Sequence, residues 1–236
     1  MWFDEAVIYQ IYPLGLCGAP SDNDSSTQPR ILRLLDWVEH IKKTGADTVL
    51  LNPVFDSDRH GYDTRDYFHT DPRLGADDDL AQVCQAFHDA GIRVMLDGVF
   101  NHVGRGFWAF RDVLEKKWDS PYKDWFHISF DGNTEHNDGF WYEGWEGHNE
   151  LVKLNLFNPA VVQHQFDAIR SWVDRFGIDG LRLDVAYCLP PEYLKQLRAF
   201  TNSLKPDFVL MGETLHGDYN RWMADDMCHS VTNYEC

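Results

Sequence analysis

Short apolar runs recur along the chain, separated by segments whose apolar residues repeat every three or four positions. The runs are rich in Val, Ile, Leu and aromatic residues, so they predict strands, and the longer repeats predict helices. The predicted strands are Val7–Pro13, Thr48–Pro53, Ile92–Asp97, Gly180–Ala186, Phe208–Glu213 and Ser230–Tyr234. The predicted helices span residues 31–41, 79–90, 166–176 and 193–200.

The regular alternation of strands and helices indicates parallel βαβ units. Thr48–Pro53 is almost continuously apolar, as expected of a strand that is covered on both faces. No Gly-x-Gly-x-x-Gly motif follows the first strand and no phosphate loop is present, which disfavours a nucleotide-binding doubly wound sheet. We therefore predict an α/β fold, an incomplete (β/α)8 TIM barrel of about six βα units.

Residues 103–157 interrupt this alternation. They are rich in Gly, Trp, Asp, Asn and His and show no long period, and such stretches inside an alternating fold are usually functional insertions. The predicted domains are residues 1–102 and 158–236 as two parts of one barrel, with residues 103–157 as a small inserted domain.

Three predicted strands end in a carboxylate: Asp97, Asp184 and Glu213. Successive side chains of a strand point to opposite faces, so Arg182 and Asp184 share the face opposite to the neighbouring leucines. Active sites of (β/α)8 barrels lie at the C-terminal ends of the strands. An ordinary ion pair at one strand end is the simpler interpretation of Arg182 and Asp184, but three acids in one sheet favour a site.

Two carboxylates with opposite protonation states are what glycoside hydrolysis requires. We expect Arg182 to keep Asp184 ionised, as a nucleophile needs. Glu213 follows an apolar run, where partial desolvation favours the neutral, proton-donating form of a carboxyl group. The sequence therefore predicts Asp184 as the nucleophile and Glu213 as the general acid/base.

The composition of the chain argues against two classes of binding partner. The net charge of −17 argues against nucleic acid and anionic membranes, because both attract basic surfaces. Aromatic residues, 14% of the chain, also occur in polar segments, where they suit stacking on sugar rings, although large cores use aromatics too.

The five cysteines, Cys17, Cys84, Cys188, Cys228 and Cys236, are scattered without the spacing of a disulfide framework or a zinc site. Free thiols indicate a reducing compartment. The N-terminus shows no basic region followed by an apolar run, as a signal peptide would have, and no apolar run is long enough to span a bilayer. We therefore expect a cytoplasmic protein.

Three motifs resemble those of the α-amylase family of glycoside hydrolases, and in particular its small maltodextrin-acting branch of cyclomaltodextrinases and neopullulanases. The motifs are Asp97–His102 (DGVFNH), Gly180–Ala186 (GLRLDVA) and Gly212–Thr214 (GET), and their order and strand placement also match. The resemblance extends along essentially the whole chain. It implies hydrolysis or transglycosylation of α-glucans such as maltodextrins or cyclodextrins, with retention and a covalent glycosyl intermediate on Asp184.

The resemblance also implies roles for single residues. Tyr62, in Gly61-Tyr62-Asp63, matches a tyrosine that stacks on the sugar being cleaved, although a tyrosine that merely packs in a loop is the alternative. His102 matches a histidine that hydrogen-bonds the same sugar, and Asp97 matches an acid that shapes the site. Asn101 matches a residue that binds calcium in many α-amylases, but the insertion does not supply a recognisable set of the six to eight oxygen ligands that calcium takes. We therefore expect no cofactor, with calcium at Asn101 as the one candidate.

Two further sets of residues stay open to two interpretations. His216, three residues after Glu213, either reaches the leaving-group side of the site or is a solvated loop histidine. Trp141, Tyr142 and Trp145 of the insertion either line a sugar-binding cleft or form a small satellite core.

One motif of the family is missing: a His-Asp pair at the end of the seventh strand. His88-Asp89 is such a pair, but it lies within the second predicted helix. The resemblance thus implies a barrel truncated before its last two βα units. Six strands do not close an eight-stranded barrel, so its edges would be open unless a second copy or another chain completes it.

Three hypotheses follow for the function. The first is the major part of the catalytic barrel of a retaining α-glucan hydrolase or transglycosylase. The second is an inactive barrel fragment that binds carbohydrate or assembles with a partner. The third, a metal-dependent barrel hydrolase, would require pairs of histidines near the strand ends, and the sequence offers no convincing pair.

Overall fold

The computed structural model describes residues 1–235, and its centre is a six-stranded parallel sheet curled into a half-barrel. The strands along the chain are β1 (Ile8–Ile11), β2 (Thr48–Leu51), β3 (Arg93–Gly98), β4 (His102–Gly104), β5 (Ile128–Ser129), β6 (Trp141–Tyr142), β7 (Gly144–Trp145), β8 (His148–Lys153), β9 (Gly180–Leu183), β10 (Val209–Gly212) and β11 (Ser230–Val231). The order in the large sheet is β1-β2-β3-β9-β10-β11, with all pairs parallel. The incomplete α/β barrel predicted from the alternating pattern is confirmed.

Six α-helices lie within residues 1–235. They are α1 (Pro13–Leu16), α2 (Val38–Thr44), α3 (Asp77–Asp89), α4 (Trp108–Lys116), α5 (Pro159–Phe176) and α6 (Pro191–Leu204). The first predicted helix is in part a 3-10 helix, Arg30–Trp37, that continues into α2. Helix α5 is longer than the predicted helix of residues 166–176, because it begins at Pro159. Asn158 caps it by accepting a hydrogen bond from the Ala160 amide.

The two faces of the large sheet pack against different groups of apolar residues. Leu181 and Leu183 of β9 belong to the main core between sheet and helices, as the alternation of side chains predicts. On the inner face, Leu50, Met95 and Val209 form a second apolar cluster. The 3-10 helix Trp2–Glu5 covers this cluster with the rings of its first two residues. Apolar side chains therefore fill the inside of the half-barrel below the strand ends.

The insertion of residues 103–157 is more ordered than its sequence suggests. It contains the nine-residue helix α4, which the sequence analysis missed, and a two-stranded sheet of β5 and β6. A three-stranded antiparallel sheet has the order β4-β8-β7. Its first strand begins at His102, four residues after β3 ends at Gly98, so the candidate residue His102 belongs to this sheet.

The long loop between β2 and α3 is fixed by a buried ion pair. Arg73 and Asp71 are both fully buried, with 2.7 Å between Arg73 Nη2 and Asp71 Oδ2. The guanidinium also donates to the main-chain carbonyls of Pro20, Ser21 and Arg59. This loop carries Tyr62, so the buried pair anchors the segment that presents the tyrosine.

No helix within residues 1–235 is long and apolar enough to cross a membrane. Cys17, Cys84, Cys188 and Cys228 are free thiols, as predicted, and Cys236 lies outside the described residues.

Candidate active site

The parallel order β3-β9-β10 brings the three strand-end carboxylates together around Arg182. Asp97 lies in β3 directly opposite Arg182 of β9, while Asp184 and Glu213 follow β9 and β10. Nη1 of Arg182 lies 2.6 and 2.7 Å from the two carboxylate oxygens of Asp97 and 3.2 Å from Asp184 Oδ1. Its Nη2 lies 2.5 Å from Glu213 Oε1. One guanidinium therefore bridges all three acids.

The charge balance of this cluster differs from the expected pairing of Arg182 with Asp184 alone. The shortest contacts of Nη1 are to Asp97, whose side chain is fully buried. Burial, together with the charge of Asp97, raises the pKa of Asp184 above its ordinary value, and Arg182 only partly opposes this. Burial likewise raises the pKa of Asp97. Arg182 therefore does not serve Asp184 alone, because the single cation is shared among three carboxylates.

Glu213 is surrounded by hydrogen-bond donors. Besides the contact with Arg182, Oε2 accepts a hydrogen bond of 3.0 Å from the Val185 amide, and Oε1 accepts one of 3.1 Å from the hydroxyl of Tyr234. Glu213 therefore lies among polar groups, and its role as the acid/base stays a prediction.

The residue after Asp184 has an uncommon backbone conformation. Val185 adopts φ 42° and ψ 46°, a left-handed conformation that is rare for a β-branched residue. This turn directs the Val185 amide at Glu213 and places the 3-10 helix Ala186–Cys188 beside the site. Backbone strain of this kind costs about 1–3 kcal/mol and concentrates at functional sites.

Tyr62 is bound to the acids from the loop between β2 and α3. Its hydroxyl donates to Asp97 Oδ2 at 3.0 Å and accepts from Asn52 Nδ2 at 2.6 Å. Asn52 also donates to Asp97 at 3.1 Å. Burial and the nearby charge of Asp97 raise the pKa of the Tyr62 phenol, so the hydroxyl keeps its proton. The structure thus brings Tyr62 and Asp97 together, as the resemblance implied.

His102 lies beside Asp184, with 3.9 Å between its Nε2 and Asp184 Oδ2. Burial lowers the pKa of His102 to about 3, so the imidazole is neutral. Its Nε2 is buried and has no hydrogen-bond partner within residues 1–235. This nitrogen faces the acids and is suited to a hydroxyl group of a ligand.

Asn101, the candidate calcium ligand, makes hydrogen bonds within the protein. Its side-chain Nδ2 lies 3.1 Å from Nδ1 of His102, and its main-chain carbonyl accepts a hydrogen bond from the Leu154 amide. Residues 1–235 contain no cluster of three or more His, Cys, Asp or Glu side chains that could hold a metal ion. Calcium at Asn101 therefore stays a prediction.

A cleft of about 490 Å³ opens above the acids. Arg182, Asp184 and Glu213 form part of its wall, and Tyr62, His102 and Trp145 line it as well. The residues that the sequence analysis did not single out include His60, Glu146, His148, Glu150, Val185 and Tyr187.

The β7–β8 hairpin contributes much of that wall. Trp145 pairs with His148 across a two-residue turn, and the two rings stack at 5.6 Å with an angle of 24°. Both turn residues, Glu146 and Gly147, have positive φ angles, as the favoured two-residue hairpin turns require. Glu146 accepts a 3.1 Å hydrogen bond from the hydroxyl of Tyr187, which ties the hairpin to the segment after β9.

The three aromatic residues of the insertion that were left open lie in different surroundings. Trp145 lines the cleft, whereas Tyr142 is fully buried against Phe110 and Phe140 and belongs with them to the main core instead of a separate satellite core. Trp141 is exposed and lies outside the cleft lining. His216 is also exposed and does not line the cleft, so its role at the leaving-group side stays a prediction.

Some site residues had a signal in the sequence and others had none. Asn52 directly follows β2, so the rule that found the strand-end acids applies to it as well. Val185 and Tyr234 act through a backbone amide and a hydroxyl whose positions depend on the folded structure. His88-Asp89 lies in α3, as predicted, and His88 contacts Asp179 instead of the site.

Comparison with known proteins agrees with this geometry. The family model of the α-amylase catalytic domain matches residues 31–236. A cyclomaltodextrinase from a Bacillus species is 34% identical over 250 residues, covering 99% of this chain and 44% of that protein. Neopullulanase 2 of Thermoactinomyces vulgaris is 36% identical over 251 residues, covering 99% of this chain and 42% of that protein.

A solved structure supports the same relationship. The ligand-free cyclic α-maltosyl-(1→6)-maltose hydrolase from Arthrobacter globiformis superposes with a TM-score of 0.86 at 31% identity, covering 99% of this chain and 56% of that one. The chain thus spans about half the length of the relatives it matches.

Proposed function

The chain belongs to the α-amylase family of glycoside hydrolases, and from this premise we propose that its site cleaves α-linked glucans, such as maltodextrins or cyclodextrins, with retention of configuration. The observation that carries the proposal is Arg182 bridging Asp97, Asp184 and Glu213 at the floor of a cleft with aromatic walls. The cleft has a volume of about 490 Å³, which can hold sugar rings, and Tyr62 and Trp145 in its lining offer faces for stacking.

In the first step we assign the attack on the anomeric carbon to Asp184. A bond forms between a carboxylate oxygen of Asp184 and the anomeric carbon, and the bond to the glycosidic oxygen breaks. Glu213 delivers its proton to that oxygen as it leaves. Arg182 remains charged throughout and stabilises whichever carboxylate is ionised.

In the second step the ionised Glu213 takes a proton from water or from a sugar hydroxyl. The resulting oxygen nucleophile attacks the anomeric carbon and releases Asp184 as a carboxylate. Water as the acceptor gives hydrolysis, and a sugar gives transglycosylation. His102 is neutral and can hydrogen-bond a hydroxyl of the sugar at this site.

The decisive experiment is the hydrolysis of an aryl α-maltoside by the 236-residue chain, with Asp184→Asn as the matched control. We expect turnover that Asp184→Asn abolishes while maltose binding persists, and an NMR spectrum in which the α-anomer of the product appears first. Retained turnover in Asp184→Asn would contradict the nucleophile, and initial β-anomer would contradict retention.

A second candidate function is binding of α-glucan without turnover. It is favoured by the open edges of the sheet: β1 and β11 each have a single strand neighbour within residues 1–235. We propose that a second copy or a complementing chain pairs with these edges, because unpaired parallel edges are otherwise exposed. Light scattering over a range of concentrations separates a self-completing dimer from a monomer that binds maltose but does not hydrolyse it.

We also propose a reducing, cytoplasmic location, which the four free thiols support. Fractionation of cells that make the protein tests this location directly.

A further inference from the structure

Glu213 has three hydrogen-bonding partners of different chemical types. Its Oε1 receives the guanidinium of Arg182 and the hydroxyl of Tyr234, and its Oε2 receives the Val185 amide. A guanidinium and a backbone amide can only donate hydrogen bonds. A phenol both donates and accepts, so Tyr234 differs from the other two partners.

This difference matters for a group that must change its protonation state. An acid/base residue is a proton donor in one half of a retaining reaction and a carboxylate in the other. A protonated Oε1 cannot accept the same hydrogen bonds from all of its neighbours, and its own proton needs an acceptor. Of the three partners, Tyr234 can supply that acceptor by rotation of its hydroxyl hydrogen.

We propose that Tyr234 is a positioning residue of Glu213, whose hydroxyl donates to the ionised carboxylate and turns to accept from the protonated carboxyl. The inference rests on the acid/base role proposed for Glu213. Tyr234 gains and loses no proton in either step. When the Glu213 proton moves to the glycosidic oxygen, the phenol hydrogen turns back towards Oε1.

The position of Tyr234 is set by the pairing of β10 with β11. Gly212 and Val231 are in register, so the segments that follow these strands run side by side. Reciprocal hydrogen bonds join Thr214 and Thr232: the Thr214 amide donates to Thr232 Oγ1 at 2.9 Å, and Thr214 Oγ1 donates to the Thr232 carbonyl at 3.0 Å. This clamp lies next to Glu213 on one segment and two residues before Tyr234 on the other.

The environment of Tyr234 keeps the phenol protonated. Partial burial and the charge of Glu213 raise the pKa of Tyr234. The ring is otherwise 59% exposed, so solvent does not hinder rotation of the hydroxyl. Both features are needed by a group that reverses its hydrogen bond.

The test combines a direct titration with kinetics. Glutamate labelled with ¹³C at Cδ and tyrosine labelled at Cζ are followed by NMR across the pH range, with signals assigned through Glu213→Gln and Tyr234→Phe. We expect the Tyr234 signal to shift in a step at the same pH as the Glu213 signal. In Glu213→Gln this step of Tyr234 should disappear.

The kinetic arm uses aryl α-maltosides. We expect Tyr234→Phe to lower kcat about tenfold, the loss that one hydrogen bond to a charged group produces, with KM changed less than about twofold and with an altered pH profile. Tyr219→Phe is the matched control, because the Tyr219 hydroxyl donates to a carboxylate of the same segment, Glu235, at 3.0 Å. This variant should keep the wild-type kcat.

The outcomes of these experiments distinguish the positioning role of Tyr234 from the proposed function. A titration of Glu213 that leaves the Tyr234 signal unmoved overturns the inference, even where Asp184→Asn abolishes hydrolysis and the proposed function stands. Coupled steps in a folded chain without any hydrolysis support the hydrogen-bond reversal and count against the proposed function. Equal kinetic losses in Tyr234→Phe and Tyr219→Phe would also overturn the positioning role.

Discussion

The hydroxyl of Tyr62 donates a 3.0 Å hydrogen bond to Asp97, a carboxylate whose side chain is fully buried. Asn52 donates to both groups and completes a triangle of hydrogen bonds. The ring that the α-amylase resemblance assigns to sugar stacking is therefore held by the acid at the base of the site. The contributions of the Tyr62 ring and of its hydroxyl group to sugar binding can be tested separately.

Tyr62→Ala should weaken the binding of maltotriose about tenfold, because it removes the aromatic face. Tyr62→Phe keeps the face and loses the hydrogen bond, so its affinity should fall only two- to threefold, about 0.5 kcal/mol. Calorimetric titration in an Asp184→Asn background measures both without turnover. Equal losses in the two variants would show that the ring is not a sugar platform.

The strained turn at Val185 predicts an unusual order of stability. Val185→Ala and Val185→Gly lose the same buried side chain, apart from one methyl group, but only glycine relieves a positive φ. We expect the glycine variant to be at least as stable as the alanine variant, because a left-handed residue other than glycine costs about 1–2 kcal/mol. Urea unfolding of the two variants measures the difference.

Val94, buried in β3, provides the control for that comparison. At this ordinary strand position the glycine variant should be about 1 kcal/mol less stable than the alanine variant. The same order at Val185 would show that the turn stores no strain.

The buried pair of Arg73 and Asp71 should be costly to break by removing one partner. Asp71→Ala leaves a buried guanidinium without its counter-ion, so we expect the free energy of unfolding to fall by about 3–5 kcal/mol. Asp22→Ala, which removes the exposed partner of Arg59, should cost less than about 1 kcal/mol. Denaturant unfolding of both variants is the measurement, and similar losses would contradict the anchoring role of the buried pair.

The positions of the acids could be predicted from the sequence because strand ends and side-chain alternation are local properties. The pairing between strands could not. Alternation along β9 associated Arg182 with Asp184, whereas the register of β9 against β3 places Asp97 opposite Arg182. That register depends on contacts between residues 85 positions apart. The electrostatics of the site follow this register, because Asp97 shares the guanidinium of Arg182 and, together with burial, raises the pKa of Asp184.

The insertion shows the same limit. Helix α4 spans nine residues, too few turns for a periodic signal to stand out among the surrounding Gly and Trp residues. Trp145 and Tyr142 are three positions apart, yet one lines the cleft and the other lies in a core, because β6 and β7 belong to different sheets. No local pattern distinguishes the two residues.

His102 should make the protein less stable in mild acid. Burial lowers the pKa of His102 in the folded protein to about 3, from an ordinary value of 6.5. Between these two pH values the imidazole is therefore protonated in the unfolded chain but not in the folded protein. Stability therefore falls as the pH drops from 6.5 towards 3, and His102 contributes roughly 2 kcal/mol of this loss at pH 5.

We expect His102→Gln to lose correspondingly less stability between pH 7 and pH 5 than the wild type, as measured by urea unfolding at both values. The matched control replaces the exposed His216 with Gln. A pH dependence in His102→Gln as steep as that of the wild type would mean that His102 is protonated in the folded protein, and its proposed hydrogen bond from a neutral imidazole to the sugar would have to be abandoned.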